Sequence, residues 1–380
     1  MNRQEYLKAV KDVIYLAYCA VNERVPSSGR VAKMDLDKVY KASESHLLTA
    51  MCAMALGSAG VRDERFTQAM GKAIRKNAQM DIDRGLLLER LEEEKIWYMP
   101  LKGALLKELY PEYGMRQMSD NDILFDRTRA GDVRRIMESL GFTTERFGAG
   151  NHDIYYKQPV SNFEMHTRLF TMTPGIRLYE YYDGIKDRLI KDEENSYGYH
   201  FTPEDFYVYM VAHEFKHYSA GGTGLRSLVD TYVYLKENCV SMDLEYIESQ
   251  CRKLGIDEFE RQSSSLAMSL FGGEKLSAEN KRMLSYIVFS GTYGTVDNRV
   301  KNTMDRYGKG LFAKLRYLKN RVLVPVRKSD TRYALFASYY PWYYENRLRL
   351  PLLMVSRIRR ALTKNKDRTG YELGRLLKGK

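Results

Sequence analysis

Three carboxylates hold the most informative chemistry in the chain. In Ser119-Asp120-Asn121-Asp122-Ile123-Leu124-Phe125, the two aspartates lie two positions apart. On a strand, residues so spaced project to one side, with Asn121 facing the other way. Such a pair suits hard divalent cations, Mg²⁺ or Mn²⁺, and the usual use is to hold them against a nucleotide phosphate. Downstream, Asn162-Phe163-Glu164-Met165-His166-Thr167-Arg168 alternates in character. Phe163 and Met165 take one face, while Glu164, His166 and Arg168 take the opposite, polar face. If that strand lies beside the aspartate strand, Glu164 completes a three-carboxylate cluster. Two ions held about 3.5–4 Å apart there would clamp the attacking and leaving oxygens of a phosphoryl-type displacement. Upstream, Pro100-Leu101-Lys102-Gly103 joins strand to helix. Glycine lets backbone approach a phosphate, the helix start offers free N–H groups, and Lys102 adds charge. Singly, each piece also reads as ordinary structure: a charged pair on an exposed strand face, or a plain turn. The combination is the stronger signal.

A competing pattern is His213-Glu214-Phe215-Lys216-His217. It matches the H-E-x-x-H spacing of zinc metallopeptidases, which puts both imidazoles on one helix face with Glu214 as general base. Lys216 places a cation inside the motif, and only Asp230 or Glu237 offers a third ligand. The plainer reading is a helix whose histidines pack or hydrogen-bond near the site.

The elements that must position these residues follow from period. Residues 3–95 carry helical spacing: Val10, Val13, Ile14, Ala17 and Val21 mark a first helix. Leu36 to Met51 marks a second, and a third runs from Phe66 toward Lys95. The period then shortens. Strands are expected at 96–101, 120–125, 142–147, 152–158 and 162–169, with helices at 104–110 and 128–140 between them. Beyond Pro203 the chain turns helical to about residue 320, broken at Gly221-Gly222-Thr223-Gly224. Four regions result: a helical region 1–95, a catalytic unit 96–200, a helical domain 201–310 and a basic, aromatic-rich end 311–380. The class is α+β.

Residues 96–169 resemble the polymerase-β-type nucleotidyltransferase superfamily. More narrowly, Leu101-Lys102-Gly103, Tyr110-Pro111, Gly114-Met115-Arg116, Ser119 to Leu124 and Glu164-Met165-His166 resemble a bacterial family of uncharacterised nucleotidyltransferases. His213, His217, Arg226 and Asp230 resemble its helical C-terminal half. The chain departs from the pattern at Asn121, between the aspartates, and at Lys102-Gly103, where the superfamily has Gly-Ser. The resemblance implies a small mixed sheet flanked by N-terminal and C-terminal helical regions. It also implies transfer of a nucleoside monophosphate from an NTP, with ATP expected, to an acceptor hydroxyl or phosphate, releasing pyrophosphate. Asp120, Asp122 and Glu164 would be the catalytic, metal-holding residues. Lys102, Gly103 and Arg116 would hold the triphosphate, and His166 would be a neighbour of the metals or a structural histidine. A catalytically silent nucleotide-binding scaffold is the remaining reading of the same fold.

Composition sets the frame. With 380 residues, 44% hydrophobic and 29% charged, the chain is neither disordered throughout nor a multi-span membrane protein. Four scattered cysteines fit a reducing compartment. No leader-like segment opens the sequence, so the expected location is cytoplasmic. The net charge of +12 is unevenly placed: residues 301–380 hold 21 Lys and Arg against five Asp and Glu, leaving 40 basic and 44 acidic residues in 1–300. There, Tyr339 to Tyr344 precede Arg347, Arg349, Arg357, Arg359, Arg360, Lys364 and Lys366. Such interleaving suits an anionic membrane surface at the inner face, with nucleic acid second. The alternative is that the aromatics pack on the body and the charges are merely solvated. Residues after Lys364 are expected to fray.

Overall fold

A computed structural model of the protein describes residues 1–172, 177–308, 310–330 and 332–378. The change of period near residue 96 marks a sheet. Strands β1 (Tyr98–Pro100), β2 (Asn121–Phe125), β3 (Thr143–Arg146), β4 (His152–Lys157) and β5 (Ser161–His166) pair in the order β1-β2-β5-β4-β3. Every pairing is antiparallel except β2 with β5. A parallel pair needs a crossover, and the helix Ala130–Ser139 with the β3–β4 hairpin supplies it. The register sets Asp122 opposite Glu164.

Alternation fixes which face is which. Ile123, Phe125, Tyr155, Phe163 and Met165 pack against Val133, Ile136 and Met137 of the crossover helix and Leu87 and Leu91 of the helix Glu64–Glu93. Burying each such side chain contributes about 1.5–3 kcal/mol. A one-residue slip would drive Asp122 and Glu164 into that core, so the register is firmly specified. Asn121 is the polar exception on the buried face, and it is satisfied. Its Nδ2 donates to the Met80 carbonyl at 3.0 Å, and its Oδ1 accepts from Arg84 at 3.2 Å.

The other face belongs to a larger core. Helices Arg3–Val21, Leu36–Ser45 and Thr49–Ser58 share it with Pro203–Ala220, Leu225–Asn238, Leu244–Leu254, Asp257–Gly272 and Ala278–Ser290. Met99, Leu101 and Leu124 of the sheet side also join it. The helix expected over 36–51 is split at His46-Leu47-Leu48, where Leu47 adopts φ 55°. Tertiary contacts hold that break: buried His46 accepts from the Leu225 N–H at 3.2 Å and meets the Tyr6 hydroxyl at 3.1 Å. Helical propensity alone does not outweigh them.

After the helix Val296–Tyr307, the basic end is ordered as helices Leu311–Val322, Tyr333–Tyr339, Pro341–Glu345, Leu350–Leu362 and Lys366–Lys378. Thr331, Gly379 and Lys380 lie outside the described residues. The fraying expected after Lys364 is corrected by that last helix. Leu376 packs with Val300 and Tyr317, and buried Glu372 accepts from the Tyr317 hydroxyl and from Arg321 at 3.0 Å. Charge-assisted bonds of this kind anchor a helix whose composition alone reads as solvated. Phe336, Tyr340, Tyr343 and Tyr344 pack around Val324, Leu350 and Leu353 in a small core of their own. Among the described residues no helix is long and apolar enough to cross a membrane.

Candidate active site

The parallel pair β2–β5 builds the centre. Asp122 and Glu164 face each other in register, and Asp120 immediately precedes β2. The His166 Nε2 lies 2.9 Å from Asp122 Oδ1 and 3.8 Å from Glu164 Oε2. The antiparallel pairing of β4 with β5 sets His152 opposite His166. His152 Nε2 lies 3.4 Å from Glu164 Oε2, and the two imidazole rings are 4.9 Å apart. The predicted Asp120, Asp122, Glu164 and His166 therefore converge, and His152 joins them. Its signal was a hairpin: with the turn placed at 158–160, counting back along both arms pairs 152 with 166.

Crowding of negative charge shows in the proton equilibria. Burial, then the charges of Asp122 and Glu164, push Asp120 up to about 7. Glu164 is raised by burial and by Asp122. Asp122 moves down instead. Burial acts against that direction, but the His166 hydrogen bond and the charges of Lys102 and Lys216 outweigh it. The site thus separates one readily ionised carboxylate from two that hold protons longer.

Cations surround this face. Lys102 opens the short helix Lys102–Leu106, and burial pulls its ammonium down to about 8. Its Nζ donates to His213 Nδ1 at 2.8 Å, since an ammonium cannot accept. A Cβ on Gly103 would sit 3.0 Å from the Met118 methyl, so glycine permits that close turn. Lys216 projects to the same region: burial lowers it, while Asp122 and Glu164 oppose that shift. Arg226 donates to the Gln117 carbonyl at 3.0 Å and interacts with Asp120. Arg116 is placed differently from its expected role at the triphosphate. Its guanidinium is buried and grips Asp230 at 2.7 and 2.9 Å, and Tyr110 donates to the same carboxylate at 2.6 Å. Gly114, at φ 87° with Ile74 against it, makes the turn that delivers Arg116.

The H-E-x-x-H residues do form a helical face, with the His213 and His217 rings 4.6 Å apart. Thr202 caps that helix, Pro203–Ala220, by accepting from the Asp205 N–H. His213, however, is engaged with Lys102. Glu214 turns toward the next helix, where Ser227 donates to it at 2.8 Å, and burial raises its carboxyl to about 7. Among the described residues, the group of three potential metal ligands is His152, Glu164 and His166, within 4.8 Å of one another. It does not include His213 or His217.

Beside Asp120 opens a cavity of about 530 Å³, lined in part by Arg65, Lys72, Lys76, Asn77, Gln117 and Ser119. Lys76 donates to the Ser119 carbonyl at 2.8 Å, and Asn77 Oδ1 is buried without a partner. The basic end touches the β3–β4 loop: the Gly150 N–H donates to the Ser338 carbonyl at 2.6 Å, two residues before His152.

A family model described as uncharacterised nucleotidyltransferase matches residues 32–272. The matched span includes the sheet and the helices bearing His213, Arg226 and Asp230. No curated protein and no solved structure compared with the chain gave a match.

Proposed function

The chain belongs to this family of uncharacterised nucleotidyltransferases, and from that premise we propose that it moves a nucleoside monophosphate from an NTP, ATP first, to an acceptor hydroxyl or phosphate. The observation that carries the reading is the register pairing of Asp122 with Glu164 beside Asp120, on a face that also gathers Lys102, Lys216 and Arg226. An all-oxygen set of three carboxylates suits Mg²⁺ or Mn²⁺. Such ions, held by Asp120, Asp122 and Glu164, would neutralise charge on the triphosphate and at the attacking and leaving oxygens.

The chain's own groups do the rest. Glu164, whose raised proton affinity suits a base, takes the proton of an acceptor hydroxyl. That oxygen bonds to the α-phosphorus while the α–β bridging bond breaks, and pyrophosphate departs. Lys102 and Arg226 hold the departing phosphates, and Gly103 lets them approach the backbone. Arg116, occupied by Asp230, fixes the turn behind Gly103 instead. His213 positions Lys102, and His166 orients Asp122. An anionic substrate arriving through the cavity beside Asp120 meets Lys72 and Lys76.

A second reading concerns residues 311–380, which we assign to an anionic membrane surface. Two helices present matching exposed stripes: Phe312, Leu315, Lys319 and Val322 on one, Leu352, Val355, Arg359 and Leu362 on the other. Both follow i, i+3, i+7, i+10, one helix face each. Apolar side chains interleaved with bases are what such a surface rewards.

The test of the transferase is pyrophosphate release with each of the four NTPs, with and without Mg²⁺ or Mn²⁺, against an Asp120→Asn/Asp122→Asn double variant. Metal-dependent release that the variant loses is the expected result. Absence of NTP binding under every condition would sink this reading in favour of a silent scaffold.

A further inference from the structure

Imidazole nitrogens are unusual company for a magnesium site. Mg²⁺ prefers oxygen ligands and keeps much of its water, whereas imidazole suits first-row transition ions. Here His152 and His166 flank Glu164 on the same sheet face, placed there by the β4–β5 register. The Nε2 of His152 is 3.4 Å from Glu164 Oε2, that of His166 is 3.8 Å from the same oxygen, and His166 Nε2 is 2.9 Å from Asp122 Oδ1. Ligands about 2.0–2.1 Å from a common ion stand roughly 3.0–3.4 Å apart. His152, Glu164 and His166, whose ligand atoms lie within 4.8 Å of one another, therefore need little adjustment to share one ion, with Asp122 held against His166. Their exposures, 18% for His152, 25% for Glu164, 9% for His166 and 16% for Asp122, leave access from solvent.

We propose that His152, Glu164 and His166 form a site for a first-row transition ion, of the Mn²⁺ or Zn²⁺ class, in preference to Mg²⁺. The inference rests on the transferase reading only for its consequence, that one position of the catalytic centre is selective for such an ion. The site itself stands on geometry. Two imidazoles and one carboxylate make a mixed nitrogen and oxygen set, and the paired strands β4 and β5 that supply them are held in register. Asp120 lies outside it.

The experiment is Mn²⁺, Zn²⁺ and Mg²⁺ binding to the metal-stripped full chain without nucleotide, by calorimetry, with pulsed EPR on the Mn²⁺ form. Expected is one ion bound at least about tenfold more tightly for Mn²⁺ than for Mg²⁺, and tighter still for Zn²⁺, with ¹⁴N couplings from imidazole. His152→Gln and His166→Gln should each remove a coupling and narrow the gap. Asp120→Asn should keep both while abolishing turnover. His152→Gln is the safer variant, because His152 does not bond Asp122, and its folding is checked by circular dichroism. Equal Mn²⁺ and Mg²⁺ affinity, or Mn²⁺ binding without ¹⁴N coupling, would overturn the proposal even if NTP turnover is strong. Tight Mn²⁺ binding with both couplings and no turnover of any NTP would uphold the site and sink the transferase.

Discussion

Two sets of cations in this molecule carry the same formal charge and do different work. Around the carboxylates, Lys102, Arg116, Lys216 and Arg226 are drawn out of water. Burial lowers Lys102, Lys216 and Arg226, while Asp230 and Tyr110 outweigh burial and hold Arg116 charged. In the basic end, Arg359, Arg360, Lys364 and Lys366 are exposed. A buried cation is fixed by its partners and acts at short range on a chosen atom. A solvated one contributes to a field, screened within about 8–10 Å by salt. The count of 61 Lys and Arg therefore says little until each charge is placed.

The comparison breaks most visibly at Arg116. Arg116→Ala leaves Asp230 buried with Tyr110 as its remaining donor, which costs about 3–5 kcal/mol and lowers the Tm by about 4–6 °C in a chain of this length. Arg116→Lys should recover only part, since an ammonium cannot reproduce the two-pronged contact. A Tm within about 1 °C of wild type, by calorimetry, would show that the pair is not structural, since that margin is under about 1 kcal/mol.

Lys102 sharpens the contrast on the functional side. Its ammonium, pulled down to about 8 by burial, is charged below that pH and neutral above it. Binding of a triphosphate needs the charge, so kcat/KM for NTP should fall as pH rises through about 8. Lys102→Met should raise KM about 10–100-fold, the worth of a hydrogen bond to a charged group, and flatten that alkaline limb. A limb unchanged in the variant would remove Lys102 from the phosphate contact.

The smallest effect on the reaction is expected at the basic end. Arg359→Glu/Arg360→Glu/Lys364→Glu/Lys366→Glu should leave turnover in solution within about twofold, and flotation with anionic vesicles should disappear, each lost charge weighing about 1 kcal/mol at such a surface. Flotation that survives the reversal, or equal flotation on neutral vesicles, argues against a charge-driven surface. Retention on single-stranded RNA with none on vesicles would assign the end to nucleic acid.

The sheet and the carboxylates were legible because their signals are local. Alternation in 119–125 and 161–168 fixed the faces of Asp120, Asp122 and Glu164 before any pairing was known, and the α+β class followed from the change of period. What failed to show were choices made between distant segments. Arg116 looks free beside its glycine until Asp230, 114 residues away, closes on it. His213 and His217 have the spacing of metal ligands, yet the contact that matters is with Lys102, 111 residues before His213. The histidine pair beside the carboxylates has no contiguous motif, and only the register of the β4–β5 hairpin brings it together. The break at Leu47 and the last helix belong to the same class, each held by tertiary hydrogen bonds rather than by propensity.

The contact between Gly150 and Ser338 has a consequence for selectivity. It ties the loop before His152 to the helix Tyr333–Tyr339, so the basic end is joined to the sheet that carries Asp122 and Glu164. A protein resting on a surface through that end would hold its centre at a set height above it. Acceptors confined to the same layer would then meet the carboxylates at an effective concentration far above their bulk value. Choice among chemically similar acceptors could come from where they reside, with little demand on the pocket to tell them apart.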